Sequence, residues 1–317
     1  MESVSVLFID HVLSILPLKS FKFLRNSPSN WGKIAQGAHD KREIASVTVN
    51  LATCEVSADK RPVLSDERTP IRANEPQDYG RFVKLGNLSF TNKKLAAGIR
   101  YELHDILNLV SLEASVDGSS CVRLDGISQP ALFENLKSNF REIEIRTTTN
   151  LHEEIADFLW KAAASHVCSV VCISNYEMTA RAFDAIFEIA AQKQAYKIEV
   201  DFAYVDEDEE EEESDEDDEP VFISVAQTRA FIDKWIADPI NFGRHKTLKY
   251  PHDDYEAHCN SLIENLGTQL SVTESDCGTG HSFQACVHPV HDAYTLKIDV
   301  YLELCELRFV YRGPFLR

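Results

Sequence analysis

The strongest constraint on the fold is an alternation of helix and strand patterns that begins at Pro130. Apolar residues recur first at helical spacing and then at strand spacing, several times in succession. The predicted order is helix Pro130–Asn139, strand Glu142–Arg146, helix Leu151–Ser165, strand Val167–Ile173, helix Glu177–Lys193, strand Tyr196–Tyr204, helix Val225–Ile236 and strand Thr247–Tyr250. Strands that are joined through helices usually pair in parallel, so this region predicts a parallel-leaning sheet backed by helices.

The repeat within this region is loose. Its first three strands start near residues 143, 167 and 197, a spacing that is typical of leucine-rich-repeat-like arrays. The apolar consensus of true leucine-rich repeats is absent from these segments. We therefore expect a leucine-rich-repeat-like sheet and not a regular horseshoe.

The segments on either side of the repeats predict further strands. Before them we expect a strand at Ser46–Val56, a linker over residues 57–80, a strand at Phe82–Phe90, a helix at Leu95–Leu112 and a strand at Cys121–Leu124. After them we expect a helix at Tyr255–Asn265 and strands at Ser282–Val287, Tyr294–Leu302 and Leu307–Tyr311. Short connections predict that these last strands pair antiparallel. The predicted class is mixed α/β (α+β).

An acidic insert interrupts the repeats at Asp206–Glu219, with thirteen acids and Ser214 in fourteen residues. Such a run repels itself and buries nothing, so we expect a disordered loop. Two interpretations remain open, an unconstrained expansion and a docking tail for a basic partner. Ser214 lies among acids and is a phosphorylation candidate for acidophilic kinases, with Asp217 three residues further on.

Net charge narrows the classes of partner. The formal charge is −19, and removing the thirteen acids of the insert leaves −6. A body of this charge has no general basic field, which argues against nucleic-acid binding. No apolar run approaches the roughly 20 residues of a membrane helix. With no signal peptide pattern, the eight cysteines are typical of free thiols in an intracellular protein, cytoplasmic or nuclear.

The motif search predicts no catalytic site and no cofactor. Glycine is sparse, with 12 residues, and phosphate-binding loops need glycine. The glycine–lysine phosphate loop, the dinucleotide fingerprint and the nucleophile elbow are all absent from the sequence. A non-enzymatic protein is therefore expected.

One cluster of metal-ligand residue types lies near the C-terminus, consisting of Cys277, His281, Cys286, His288 and His291. Zinc binds such side chains tetrahedrally, so a zinc-stabilised or metal-dependent domain using Cys277–His291 is an alternative hypothesis. The spacing matches no standard zinc finger, and paired C-x₂-C ligands are missing. A buried cysteine beside loop histidines is the preferred interpretation.

Two further sets of residues are assigned to the core. His166, Cys168 and Cys172 are predicted on one face of a strand, where cysteines are usually buried. Trp160 and Trp235 lie in apolar helical stretches and are predicted to pack inside, with an exposed partner anchor as the alternative.

The N-terminal stretch resembles a divergent F-box. The segment "VLFIDHVLSILPLKSFKFL" is followed by "NSPSNWGKIA", and the usual leading proline and the cysteine before the tryptophan are absent. The residues that match the apolar pattern are Phe8, Ile9, Val12, Leu13, Leu16, Phe21, Leu24 and Trp31.

A second stretch, Ile223–Pro251, is similar to the F-box-associated domain of the large nematode F-box families. The match is carried by an apolar helix and a following strand, with residues Phe231, Ile232, Lys234, Trp235, Ile236 and Leu248. The resemblance implies a helical F-box-like unit at 1–45 and an F-box-associated-like domain at 46–317.

The resemblance also implies a function. Such proteins are substrate receptors of ubiquitin ligases of the Skp–cullin–F-box type, which bind a Skp-type adaptor through the F-box and a protein target through the second domain. This function needs no active site. A scaffold protein without any link to ubiquitin is the remaining alternative, and the sequence does not identify the target.

Overall fold

The structure is a computed structural model, and it describes the greater part of the chain. The described residues are 12, 24, 26, 30–40, 42–62, 68–71, 83–91, 93–112, 114, 120–125, 130–146, 152–174, 179–201, 223–243, 245–252, 254–265, 270–278 and 280–312. The chain divides into two compact units, residues 1–144 and 145–317. The predicted boundary after residue 45 stays a prediction.

The first unit is a small mixed sheet with short helices. Its elements are α1 (Asn30–Asp40), β1 (Glu43–Asn50), β2 (Glu55–Pro62), β3 (Thr69–Pro70), β4 (Val83–Phe90), β5 (Ile99–Arg100), α2 (Leu103–Val110), β6 (Cys121–Asp125) and α3 (Ala131–Asn135). The strand order is β6-β4-β1-β2-β3, and β5 also pairs with β2. β1 pairs parallel with β4 and antiparallel with β2. β7 (Glu142–Arg146) lies at the boundary of the units.

Three boundaries in this unit differ from the sequence-based expectations. The predicted strand Ser46–Val56 is two strands, because the chain turns at Leu51–Cys54 and β2 returns antiparallel along β1. Cys54 occupies the turn with a left-handed φ of 54°. The predicted linker over residues 57–80 was wrong at its start, since β2 continues to Pro62. The predicted helix Leu95–Leu112 begins only at Leu103.

The second unit has helices on one face of a longer sheet. Its elements are α4 (His152–Ser165), β8 (Val170–Ser174), α5 (Ala180–Ala191), β9 (Lys197–Asp201), α6 (Val225–Ala237), α7 (Pro239–Phe242), β10 (His245–Pro251), α8 (Tyr255–His258) with a π-helix at Cys259–Asn265, β11 (Ser271–Gly278), β12 (His281–Val287), β13 (Tyr294–Tyr301) and β14 (Leu304–Tyr311). The strand order within this unit is β8-β9-β10-β14-β13-β12-β11.

Pairing within this sheet changes from parallel to antiparallel at β10. β8, β9 and β10 are parallel because helices join them. β14, β13, β12 and β11 follow as antiparallel neighbours, joined by short connections. The predicted mixed α/β class and the antiparallel C-terminal strands are therefore confirmed, whereas β11 was not predicted.

The core of this unit lies between the helices and one face of the sheet. Leu248 and Tyr250 of β10 alternate with half-buried Thr247 and Lys249, which is the pattern of a sheet with one covered face. Trp235 of α6 is fully buried, 5.5 Å from the ring of Phe309. The helix α5 buries Ala182, Phe183, Ala185, Ile186, Phe187, Ile189 and Ala190.

Two core predictions near β8 and α4 were wrong in part. The strand begins at Val170 and not at Val167, and His166 is exposed at the end of α4 with a left-handed φ of 52°. Cys168 is fully buried as predicted, and Cys172 is half-buried. Trp160 is 37% exposed, so its assignment to the core was also wrong.

Candidate interaction site: a tyrosine-lined cleft

A cleft of about 820 Å³ lies at one end of the strands of the second unit's sheet. It opens where β9 and β10 begin, where β13 begins and where β14 ends. We call it the tyrosine cleft. Its described lining residues are Lys193, Tyr196, Ile240, Gly243, His245, Val290, His291, Asp292, Ala293, Tyr294 and Tyr311.

Strand register brings two of the tyrosines together. Tyr294 opens β13, Tyr311 closes β14, and the two are direct cross-strand partners. Their ring centroids are 4.9 Å apart at 51°, which is a favourable tilted contact. Tyr294 is only 9% exposed, so it forms a fixed wall, and the ring of His291 lies 6.3 Å from it.

Apolar side chains that water can reach form the rim of the cleft. Tyr196 is 51% exposed, Ile240 54% and Val290 78%. Single exposed apolar residues are ordinary on a protein surface, but three around one concavity are typical of a contact surface. The rim therefore adds accessible apolar surface to that of the cleft walls.

The short helix α7 places Ile240 at the rim. Asp238 caps α7 by accepting from the backbone N–H of Asn241 at 3.1 Å, and the hydrogen bonds from Asn241 lower the pKa of that carboxyl. Gly243 ends the helix with a φ of 112°, and a Cβ there would lie 3.0 Å from the carbonyl oxygen of Lys193. A glycine is therefore required where the chain turns into β10.

The turn between β12 and β13 is held by His288. Its Nε2–H donates to the carbonyl of Ile236 at 2.9 Å, while Nδ1 accepts from the backbone N–H groups of Val290 and His291 at 3.2 and 3.1 Å. Burial lowers the pKa of His288, which favours this neutral tautomer. The ring also lies edge-on to Trp235 at 5.0 Å. His288 thereby fixes the loop that carries Val290 and His291.

Lys246 ties the end of α5 to β10 near the cleft. Its ammonium donates to the carbonyl of Ala190 at 2.6 Å and to that of Gln192. It also lies 4.7 Å above the ring of Phe242. Burial lowers the pKa of Lys246 to about 7, while the carbonyls at the end of α5 favour the charged form.

Of the described members of the predicted metal cluster, His288 and His291 lie together, with ring centroids 5.2 Å apart. His281 stacks on Tyr301 with ring centroids 4.5 Å apart. Cys286 is fully buried, and burial raises the pKa of its thiol to about 11, which disfavours the thiolate that binds zinc. His288 uses both ring nitrogens in the turn, and the side chain of Cys277 lies outside the described residues. Among the described residues, no group of three or more metal-binding side chains comes together.

Few of the predicted adaptor-binding residues fall within the described part. Val12 and Leu24 are helical and half-buried, and Trp31 is half-buried in α1. The other predicted adaptor-binding residues lie outside the described residues, as do Ser214 and the acidic insert. These adaptor-binding residues are Phe8, Ile9, Leu13, Leu16 and Phe21. In the second motif, Phe231, Ile232 and Trp235 are buried, while Lys234 is exposed.

The cleft itself was not predicted from the sequence. Of its described lining residues only His291 was a candidate, and it was proposed as a metal ligand. The other residues come from four stretches of the chain between Lys193 and Tyr311, and no local pattern marks them. The one signal in the sequence was the position of two apolar residues, Ile240 and Val290, beside turn residues. Both are exposed in the structure.

The cleft is suited to binding. In open parallel sheets, enzymes place their ligands at the carboxyl ends of the strands, whereas this cleft lies at the amino ends of β9 and β10. Its described walls offer phenol hydroxyls, imidazoles, one ammonium and one carboxylate around apolar surface. These groups can donate and accept hydrogen bonds beside apolar surface.

Comparisons with known proteins found no relative from which a function could be inferred. No protein-family model, no curated protein and no solved structure matches this chain. Among the described residues, no helix is both long and apolar enough to cross a membrane.

Proposed function

We propose that this chain is a non-catalytic protein-recognition subunit that holds a segment of a partner protein in the tyrosine cleft. The observation that carries the proposal is the exposed apolar rim, Tyr196, Ile240 and Val290, around a cleft of about 820 Å³. Tyrosine is among the residue types that contribute most to the binding energy of protein interfaces, and exposed apolar patches often mark such interfaces. A cavity of this size takes a few side chains of a polypeptide.

The sequence resemblance supports a more specific role. An F-box-like unit at 1–45 would bind a Skp-type adaptor, and the second unit would present a target to a ubiquitin ligase. Helix pairs bind such partners by laying an apolar face into a groove. In this proposal Phe8, Leu16 and Trp31 belong to the adaptor side, and the tyrosine cleft belongs to the target side.

The target side is tested with charge substitutions at the rim. Affinity purification and mass spectrometry compare the full-length wild type with Ile240→Asp and Val290→Asp. Both side chains are more than half exposed, so these variants keep the fold. The control is Val272→Asp, because Val272 is exposed on β11 and does not line the cleft. We expect a partner that both rim variants lose and the control retains; identical partner sets in all variants would refute the target side.

The adaptor side has its own test. A pull-down with a purified Skp adaptor compares the wild type with Phe8→Ala, and we expect binding that the substitution weakens. No binding by either chain would reject the adaptor role and leave the cleft proposal intact. A cleft that fails the first test while the adaptor binds would reject the cleft alone.

A further inference from the structure

A second concavity lies on the helical side of the second unit, away from the strands. It has a volume of about 300 Å³ and lies between α4, α5 and α6. We call it the tryptophan groove. The residues that define it are Trp160, Asp184, Phe187, Glu188, Gln227 and Lys234.

Trp160 lies on the polar stripe of α4. Its helical neighbours on that stripe, Glu153, Asp157 and Lys161, are exposed, whereas Ile155, Ala156, Phe158 and Leu159 are buried. Trp160 is 37% exposed, so part of its indole lies in contact with water. The ring therefore provides accessible aromatic surface beside the groove.

The aromatic floor of the groove comes from α5 and α6. Phe187 is 8% exposed and Phe231 2%, and their ring centroids are 5.5 Å apart. They lie at the base of the groove, and nearly all of their surface is buried in the core, so Trp160 supplies the accessible ring. A face of this kind attracts cations through the negative charge of the ring faces.

Carboxylates lie around the rings. Asp184 is exposed, lines the groove and accepts one hydrogen bond from Gln227 Nε2 at 3.2 Å. Glu188 lies 3.5 Å from the ammonium of Lys234, a loose and exposed pair. One helical turn away, Arg181 binds both Glu153 and Asp157. With the exposed Lys161 next to Trp160, these four acids face three cations, so the groove and its border carry a small net negative charge.

We propose that the tryptophan groove binds an arginine side chain presented by a basic segment of a partner protein. The guanidinium would stack on the indole of Trp160 and pair with Asp184 and Glu188. Arginine fits better than lysine because its planar group stacks on aromatic rings and donates to carboxylates in the same pose. This site is separate from the tyrosine cleft and does not rest on the function proposed for it.

The test uses the indole N–H signals of the full-length chain in nuclear magnetic resonance. The chain has three tryptophans, and Trp160→Phe identifies the signal of the exposed one. The probes are the acetylated, amidated pentapeptide Ala-Arg-Ala-Arg-Ala and the same peptide with neutral citrulline at both arginines. We expect the arginine peptide to shift the Trp160 signal and to bind about tenfold more tightly than the citrulline peptide.

Substitutions at the groove give results of opposite sign. Asp184→Asn should weaken the arginine peptide by about tenfold, since one charge-assisted hydrogen bond is lost. Lys234→Met should strengthen it a few-fold, because the competing cation beside Glu188 is removed. The matched control is Asp233→Asn on the same helix, which makes the same charge change outside the groove and should leave affinity unchanged.

Three results would overturn the proposal. They are a Trp160 signal that neither peptide moves, equal binding of the arginine and citrulline peptides, and equal losses in Asp184→Asn and Asp233→Asn. Equal losses in the two variants would mean that the peptide binds through the overall negative charge of the chain and not through the groove.

Discussion

At the scale of single residues, burial separates side chains that are chemically identical. Trp235 is fully buried between Phe309 and His288, while Trp160 is 37% exposed over a groove. Both lie in helices with similar apolar neighbours in the sequence. The difference arises because Trp235 falls on the stripe that faces the sheet, and Trp160 falls on the stripe that faces water.

This pair predicts a large difference in stability. Trp235→Ala should lower the free energy of unfolding by about 3–5 kcal/mol, because it leaves a cavity in the core. Trp160→Ala should cost less, about 1–3 kcal/mol, because 37% of the residue already meets water and its removal leaves no closed cavity. Urea denaturation followed by circular dichroism measures both. Equal costs for the two variants would contradict the assigned burial.

Lys246 predicts a dependence of stability on pH. Its pKa is about 7 in the folded chain and about 10.4 when unfolded. Between these values the unfolded chain binds more protons, so the free energy of unfolding should rise with pH from about 7 to about 10. The slope is at most about 1.4 kcal/mol per pH unit, and the carbonyls of Ala190 and Gln192 reduce it.

Substituting Lys246 isolates its contribution to the pH dependence of stability. Denaturation midpoints across the same pH range are measured for the wild type and for Lys246→Met, and the substitution should flatten the rise. Lys249→Met is the control, since Lys249 lies on the opposite, half-exposed face of the same strand. Parallel curves for the wild type and Lys246→Met would show that Lys246 keeps its proton throughout.

At the scale of elements, local signals place some boundaries well. The helix α6 was predicted at Val225–Ile236 and runs from Val225 to Ala237. Its start is fixed by a capping box, in which Ser224 Oγ accepts from the backbone N–H of Gln227 while the Gln227 side chain accepts from the N–H of Ser224. Signals of this kind depend only on neighbouring residues, so the sequence contains them.

The capping box gives a prediction for this helix. Ser224→Ala should lower the free energy of unfolding by about 1 kcal/mol, because the first turn loses an acceptor. Ser224→Thr keeps a hydroxyl at the same position and should cost a few tenths of that. Urea denaturation distinguishes them. If both variants are as stable as the wild type, the cap contributes nothing to the folded state.

Other elements depended on distant partners and were predicted poorly. β2 was read partly as a linker because its residues, from Glu55 to Pro62, are polar. It is a strand because β1 offers a complete antiparallel partner. β11 was missed for the same reason, since most of its described side chains are exposed and β12 supplies its pairing. Pairing energy of this kind is not visible in local composition.

At the scale of the whole molecule, charge and fold are separate properties. The acidic insert accounts for thirteen of the negative charges, and the rest of the chain carries −6. Two units with buried residues of their own account for the described fold. Acids in such density repel one another, so they offer nothing to a core.

Deleting Asp206–Glu219 should therefore leave stability unchanged within about 0.5 kcal/mol, because loop closure depends only weakly on length. Elution from an anion-exchange column should move to much lower salt, because the formal charge falls from −19 to −6. A glycine–serine segment of equal length separates the effect of charge from that of length. A deletion variant that fails to fold, while the glycine–serine variant folds, would show that this length of chain is needed.

The sequence by itself determined the mixed α/β class, the parallel pairing of β8, β9 and β10, and the antiparallel end of the chain. Those properties follow from hydrophobic periodicity, which is local and repeats within each element. The predicted burial of Trp235 and Cys168 is confirmed, but the same argument was wrong for Trp160, so the apolar neighbours alone did not decide it.

Only the tertiary structure showed which residues form the two candidate binding sites. The tyrosine cleft unites Lys193, Ile240 and Tyr311, and the tryptophan groove unites Trp160, Asp184 and Lys234. These side chains become neighbours through strand order and helix packing, which join residues far apart in the chain. His288 is the clearest case, because the sequence presented it as a metal ligand and the fold uses it to hold a turn.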